Sequence, residues 1–273
     1  MVISFFKKIN LIRIIWSCIP KVPFRSKVKL IFKPVESTRY TEIAYVFNFI
    51  QKSKININTC LDISSPYILA YILSKKGTVI KTDIFEEERK FIKVSDKLRF
   101  EIQNALALTY PDNTFDFVSS ISAVEHIYQG LSRSVDEMIR VVKPGGYIYI
   151  SFPVSGKYQE EWLNDNIYSN QYKSGGKVFF QYRIDKSNLD LFLLNLKNVE
   201  IIGQDIYWEK ADGTYNKMVS KLKILTGNNN LDFLRNSVIN LYYGFTLLNS
   251  RPQGFDNAKD YGNISIILKK ISK

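Results

Sequence analysis

Cysteine and histidine are almost missing from this 273-residue chain: there are two cysteines, Cys18 and Cys60, and one histidine, His126. That excludes a disulfide-stapled scaffold and any zinc site built from clustered His and Cys, and it favours a reducing compartment. Glycine and proline are also sparse, 13 and 8 residues, so collagen-like and low-complexity readings fail. No uncharged apolar run reaches the roughly 18 residues of a membrane span. A signal peptide fits poorly, because Arg13 interrupts the first apolar stretch and no small-residue cleavage site follows before Pro20. What is present is 45% hydrophobic and 14% aromatic residues, enough for one large core or two modest ones. The expectation is a folded cytoplasmic protein.

Charge is unevenly spread. Of a net +12, residues 1–40 hold nine basic residues against Glu36 alone, and the remaining 233 hold 29 against 25. Residues 1–39 therefore read as a basic extension preceding a domain over 40–273. Within it Phe5, Phe6, Ile9, Ile12 and Trp16 fall near one helical face, with Lys7, Lys8 and Arg13 toward the flanks. Such an arm can lie on an anionic membrane through residues 1–34, at the inner face of the membrane, or dock on the protein's own core or a second subunit. Nucleic acid is the poorer partner, because the aromatics are mixed with bulky aliphatics that favour burial over base stacking.

From residue 40, Ile43, Val46, Phe47 and Ile50 repeat at helical spacing. Short apolar strands follow at 59–63, 78–84 and 115–121, with helices predicted over 67–74, 86–97 and 132–142. Lys143-Pro144-Gly145-Gly146 turns the chain into a strand at 147–152, and a helix at 187–196 and strands at 199–207 and 263–269 close the pattern. Segments 155–177 and 209–262 are less regular and suit insertions or lids shaping an acceptor pocket. Alternating strands and helices predict an α/β fold, a Rossmann-like doubly wound parallel sheet.

The first strand ends in Leu61-Asp62-Ile63-Ser64-Ser65-Pro66 and the second in Asp83, about twenty residues later. In an open parallel sheet, ligands bind beyond the carboxyl ends of strands, where an acid can take both hydroxyls of a ribose. Pro66 suits a first helical turn whose free N–H groups favour an anionic group. The competing view is that Asp62 and Asp83 are only polar strand ends. The glycine fingerprint of a dinucleotide site is absent, so a mononucleoside fits better.

The segment from Tyr110 through Pro111-Asp112-Asn113, Phe115-Asp116 and Glu125-His126, followed by Glu137 to Lys143-Pro144-Gly145-Gly146, resembles the middle motifs of class I S-adenosylmethionine-dependent methyltransferases of the type 11 kind. The resemblance covers about residues 40–155. It implies seven strands with an antiparallel last strand, and S-adenosyl-L-methionine as cofactor. It places Asp62, Ser64 and Ser65 at the methionine end, Asp83 on the ribose, Ile84 on the adenine face, and Asn104 where an Asp usually accepts from the adenine amino group. The chain departs from the family's Asp-x-Gly-x-Gly at Ser64 and Ser65, a change tolerable where φ stays negative. His126 is the candidate general base for an oxygen or nitrogen acceptor on a small molecule, saccharide or lipid-linked intermediate; alternatively Glu125 and His126 brace the loop. Some relatives carry Glu-x-x-Glu-His as a magnesium cluster, but Ser122 stands at the first position, so no metal is expected. Tyr158, Trp162, Tyr168, Tyr172, Phe179, Phe180 and Tyr182 suit either a lid packed on the core or a stacking surface. The alternative to an enzyme is a methyltransferase-like binding protein without catalysis.

Overall fold

A computed structural model describes residues 5–18, 36–167, 171–223 and 230–271. In chain order the elements are α1 (Phe5–Cys18), α2 (Arg39–Ser53), β1 (Thr59–Ile63), α3 (Tyr67–Leu73), β2 (Thr78–Asp83), β3 (Leu98–Ile102), β4 (Phe115–Ile121), α4 (Leu131–Val141) and β5 (Val142–Val154). They continue with β6 (Gln159–Leu163), β7 (Lys173–Ser174), β8 (Lys177–Arg183), α5 (Lys186–Asn195), β9 (Val199–Trp208), α6 (Thr214–Lys223), α7 (Asn230–Thr246) and β10 (Gly262–Lys270). Seven strands form one sheet in the order β3-β2-β1-β4-β5-β10-β9, mostly parallel with the last strand antiparallel. The closing strand thus sits beside β9, where the sequence pattern puts it.

The chain divides into two compact units, one made of Asn56–Gln204 with Ile264–Lys273 and the other of Met1–Ile55 with Asp205–Asn263. In the first, β1 pairs with β2 and β4 in parallel, so Cys60, Leu61, Val79, Phe117 and Val118 are buried from both faces. One rung of this apolar sheet is polar. Lys81, Asp62, Ser119 and Tyr149 are lateral neighbours on β2, β1, β4 and β5, and Tyr149 Oη lies 3.0 Å from Ser265 Oγ.

The predicted helix over 86–97 is not formed. A 3₁₀ turn spans Glu86–Phe91, and β3 follows as the edge strand. Three consecutive glutamates open the segment without apolar residues at helical spacing, whereas Leu98 and Phe100 are buried around an exposed Arg99, the alternation of a strand. The irregular 155–177 segment contributes to a separate antiparallel sheet, β6-β8-β7.

In the second unit α1 packs on α2, and α6 on α7. Of the basic flank residues on α1, Arg13 is exposed but Lys8 is buried. Lys8 and Leu11 face inward, with Lys8 Nζ donating to the Gly244 carbonyl at 2.7 Å, while Phe6 and Ile9 face outward. Burial lowers the Lys8 pKa to about 8, helped by nearby Lys210. The arm residues Phe5 and Trp16 lie outside the described side chains. Tyr40 meets Gly244 so closely that a Cβ there would come within 2.6 Å of its ring, so glycine is required at the contact. Among the described residues no helix is long and apolar enough to cross a membrane.

Candidate functional site

Asp62 is fully buried at the end of β1, where Ser119 Oγ donates to its Oδ1 at 3.0 Å and Lys81 Nζ lies 3.5 Å from its Oδ2. Lys81, buried as well, also donates to the Ser65 carbonyl at 2.6 Å. Ser65 Oγ accepts from the Ile121 amide at 2.9 Å. The Asp62–Ser65 loop is therefore tied to β2 on one side and β4 on the other. Ser64 sits at φ +50 and donates its amide to the Thr82 carbonyl at 2.9 Å. The condition under which serine would be tolerated without cost, a negative φ, is not met: the backbone keeps the left-handed conformation natural to glycine, and serine bears the cost. Ser122, just beyond β4, is also left-handed at φ +41. Non-glycine residues held in this region at neighbouring strand ends are typical of functional sites.

Asp83 ends β2 nearly buried. Its Oδ1 accepts from the Phe85 amide at 3.1 Å, and its second oxygen has no hydrogen bond among the described residues. Ile84 beside it is half exposed. Glu88 lies close enough that burial, then the Asp83 charge, pushes its pKa up. Asn104 is exposed, and its Oδ1 accepts from the Leu106 amide at 2.9 Å, so the oxygen expected to face adenine already holds its own turn.

His126 closes a 3₁₀ turn after β4. Its Nδ1 lies 2.5 Å from the Phe180 carbonyl on β8, and Nε2 lies 3.9 Å from Glu125 Oε1. A carbonyl only accepts, so Nδ1 carries a proton, and the lone pair of the ring's neutral form lies at Nε2. Three residues on, the Gln129 amide donates to Tyr182 Oη at 2.9 Å. Tyr128 stacks on Tyr172 at 4.0 Å, Trp162 meets Phe179 at 5.4 Å, and Phe179 meets Tyr182 at 4.6 Å. The aromatics thus pack on each other, leaving Tyr158 and Tyr172 as exposed rims; Tyr168 lies outside the described residues. Asp116 belongs to the opposite end of β4. Burial opposes its ionisation, but donors from Lys143, Thr59 and Asn58 outweigh that and hold its pKa below the usual carboxylate range.

The fold gathers Asp62, Ser64, Ser65, Asp83 and Ile84, the residues expected from the sequence, at the carboxyl ends of β1 and β2. Sequence reasoning missed Lys81, which reads as a polar interruption of an apolar strand until the register sets it beside Asp62.

A family profile described as "Methyltransferase domain" matches residues 61–150, the span from Leu61 in β1 past His126 and into β5. Residues 61–150 are a class I methyltransferase domain. Norajmaline N-methyltransferase of Rauvolfia serpentina is 42% identical over 57 residues, 21% of this chain and 19% of that protein. Sterol 24-C-methyltransferase ERG6B of Gibberella zeae is 39% identical over 77 residues, 28% and 18% of the two chains. The ubiquinone/menaquinone biosynthesis C-methyltransferase of Hydrogenovibrio crunogenus is 32% identical over 85 residues, 29% and 33%. The chain spans about a fifth of the length of the first two relatives. Among solved structures, coclaurine N-methyltransferase bound to N-methylheliamine and SAH superposes with a TM-score of 0.54 at 13% identity, covering 98% of this chain and 88% of that one. The [4+2]-cyclase SpnF gives 0.50 at 14% identity, covering 85% and 82%. At such identities these two show the fold of the methyltransferase domain and nothing of its chemistry.

The cofactor of this family is S-adenosyl-L-methionine. The site has the donor set to fit it: an Asp83 oxygen available to ribose hydroxyls, exposed Ile84 for the adenine face, and a left-handed Ser64 that keeps the loop shape for close backbone approach. Asp62 and Ser65 support that loop through their bonds to Lys81, Ser119 and Ile121.

Proposed function

We propose that the chain is an S-adenosylmethionine-dependent methyltransferase acting on oxygen or nitrogen of a small molecule, a saccharide or a lipid-linked intermediate. The observation that carries this reading is the Ser64 backbone, which holds a glycine-type conformation between Asp62 and Asp83 despite the missing glycine. Retaining a strained conformation suits a loop whose shape is used.

When bound, the cofactor supplies an activated sulfonium methyl, so the protein's work is alignment, exclusion of water and proton removal. Asp83 and Ile84 would hold the nucleoside, and the Asp62–Ser65 loop the methionine end. His126 takes the acceptor proton at Nε2, its ring orientation set by the Phe180 carbonyl at Nδ1. The names of the relatives, which act on alkaloids, sterols and quinone precursors by N- or C-methylation, support a small-molecule acceptor. The aromatic cluster around Tyr128 packs beside the segment that carries His126, whose ring meets Phe180 at 4.9 Å.

The test is transfer of label. The purified chain is incubated with methyl-labelled cofactor and fractionated small-molecule and lipid extracts, and acceptors are identified by mass. Label entering a product with the wild type and not with Asp83→Ala supports the reading. A folded wild type that binds the cofactor but labels nothing favours the non-catalytic binding protein.

A further inference from the structure

Two helices of the Met1–Ile55 and Asp205–Asn263 unit carry apolar residues outward and some polar residues inward. On α7, Ser237 and Asn240 are buried together with Tyr243, while Leu234, Val238, Leu241 and Tyr242 form an outward stripe at spacings of four, three and one. Val238 is 65% and Tyr242 61% exposed. On α1 Lys8, bonded to Gly244 of α7, faces inward with Leu11, and Phe6 is outward at 79% exposure with Ile9 beside it on the same face. Helices of a water-surrounded unit place the opposite residues at the two faces. An exposed apolar stripe such as that of α7 marks an interaction surface.

The surrounding charge selects the partner. Among the described residues this unit carries 13 basic residues against 8 acidic, and the other unit 19 against 18, so most of their net positive charge lies here. Arg13 on α1, Lys217 and Lys221 on α6 and Arg235 on α7 are exposed. A second copy of the same surface would bring two strongly positive faces together; an anionic bilayer offers both the apolar phase and the countercharge. We propose that the outward faces of α7 and α1 dock this protein on the surface of an anionic phospholipid membrane, with Leu234, Val238, Leu241, Tyr242 and Phe6 entering the interface and the basic residues meeting head groups. This goes beyond methyl transfer and does not depend on it. It places the docking surface on the folded α7 as well as the N-terminal arm.

Vesicle flotation tests it, with vesicles of phosphatidylcholine alone and of phosphatidylcholine mixed with phosphatidylglycerol. The full chain should float with the mixed vesicles and not the neutral ones, less so as salt rises. Val238→Asp with Leu241→Asp, and separately Lys221→Glu with Arg235→Glu, should each reduce flotation more than tenfold while melting temperature and S-adenosylhomocysteine binding stay at wild-type values. Absence of wild-type flotation, or flotation indifferent to lipid charge or to both variants, overturns the proposal. A wild-type dimer by light scattering that fails to float and becomes monomeric in Val238→Asp/Leu241→Asp overturns it in favour of an interface between copies. Loss of cofactor binding in the wild type would count against the methyl-transfer reading alone.

Discussion

Removing the Lys81 ammonium is the severest single change the sheet offers short of a core cavity. In Lys81→Met a side chain of similar length fills the space, but Asp62, fully buried, keeps only the hydrogen bond from Ser119 at 3.0 Å. At the observed 3.5 Å, a pair of unit charges in an effective dielectric of about 20 attracts by about 5 kcal/mol. Breaking one partner out of a buried pair typically costs about 3–5 kcal/mol. The Ser65 carbonyl loses its donor too. We expect a loss of about 4 kcal/mol in equilibrium urea unfolding, seen as a lower midpoint at unchanged slope. Adding Asp62→Asn removes the stranded charge, and the double variant should recover at least half of the loss. A single-variant loss under about 1 kcal/mol, or a double variant worse than the single, would refute the idea that the ion pair holds the first loop.

Ser64→Gly relieves the left-handed strain at φ +50; set against glycine's unfolded-state entropy, stability should change by less than about 1 kcal/mol, whereas Ser64→Val should cost about 2 kcal/mol or more in the same unfolding assay. His126→Ala should lower the methyl-transfer rate about 10²-fold or more and remove a rise in activity through the ordinary histidine pKa of about 6.5, read from pH–rate profiles. The Lys8 pKa is depressed from 10.5 to about 8 in the folded chain, so the unfolded chain holds more protons between those values. Wild-type stability should therefore rise with pH from about 8 toward 10, and Lys8→Met should lack that slope in pH-dependent urea unfolding.

Sequence periodicity located β1 and β4 residue for residue, because short apolar runs bounded by turn signals leave a parallel strand little room to shift. The same logic placed α4 and α5 within a residue or two. It failed over 86–97, where a helix was expected but only a 3₁₀ turn over Glu86–Phe91 forms, and β3 at the sheet edge took Leu98 and Phe100. In the site, the acids were legible because strand ends are; Lys81 was not, since its partner lies on another strand and is fixed only by register. The conformation at Ser64 was not legible for a related reason: residue type gives only a preference, and the backbone there is also held by the hydrogen bond to Thr82. The faces of α1 and α7 were hidden most deeply, because periodicity reports which residues share a face but not which face turns inward.

Calorimetric titration of S-adenosylhomocysteine into the purified chain tests the central claim most directly. The wild type should bind, and Asp83→Ala should bind at least tenfold more weakly at unchanged melting temperature, since hydrogen bonds between ribose hydroxyls and a carboxylate contribute roughly 1.5–3 kcal/mol each. A folded wild type that gives no heat with either S-adenosylhomocysteine or S-adenosylmethionine, or an Asp83→Ala variant that binds as well as wild type, would contradict the account.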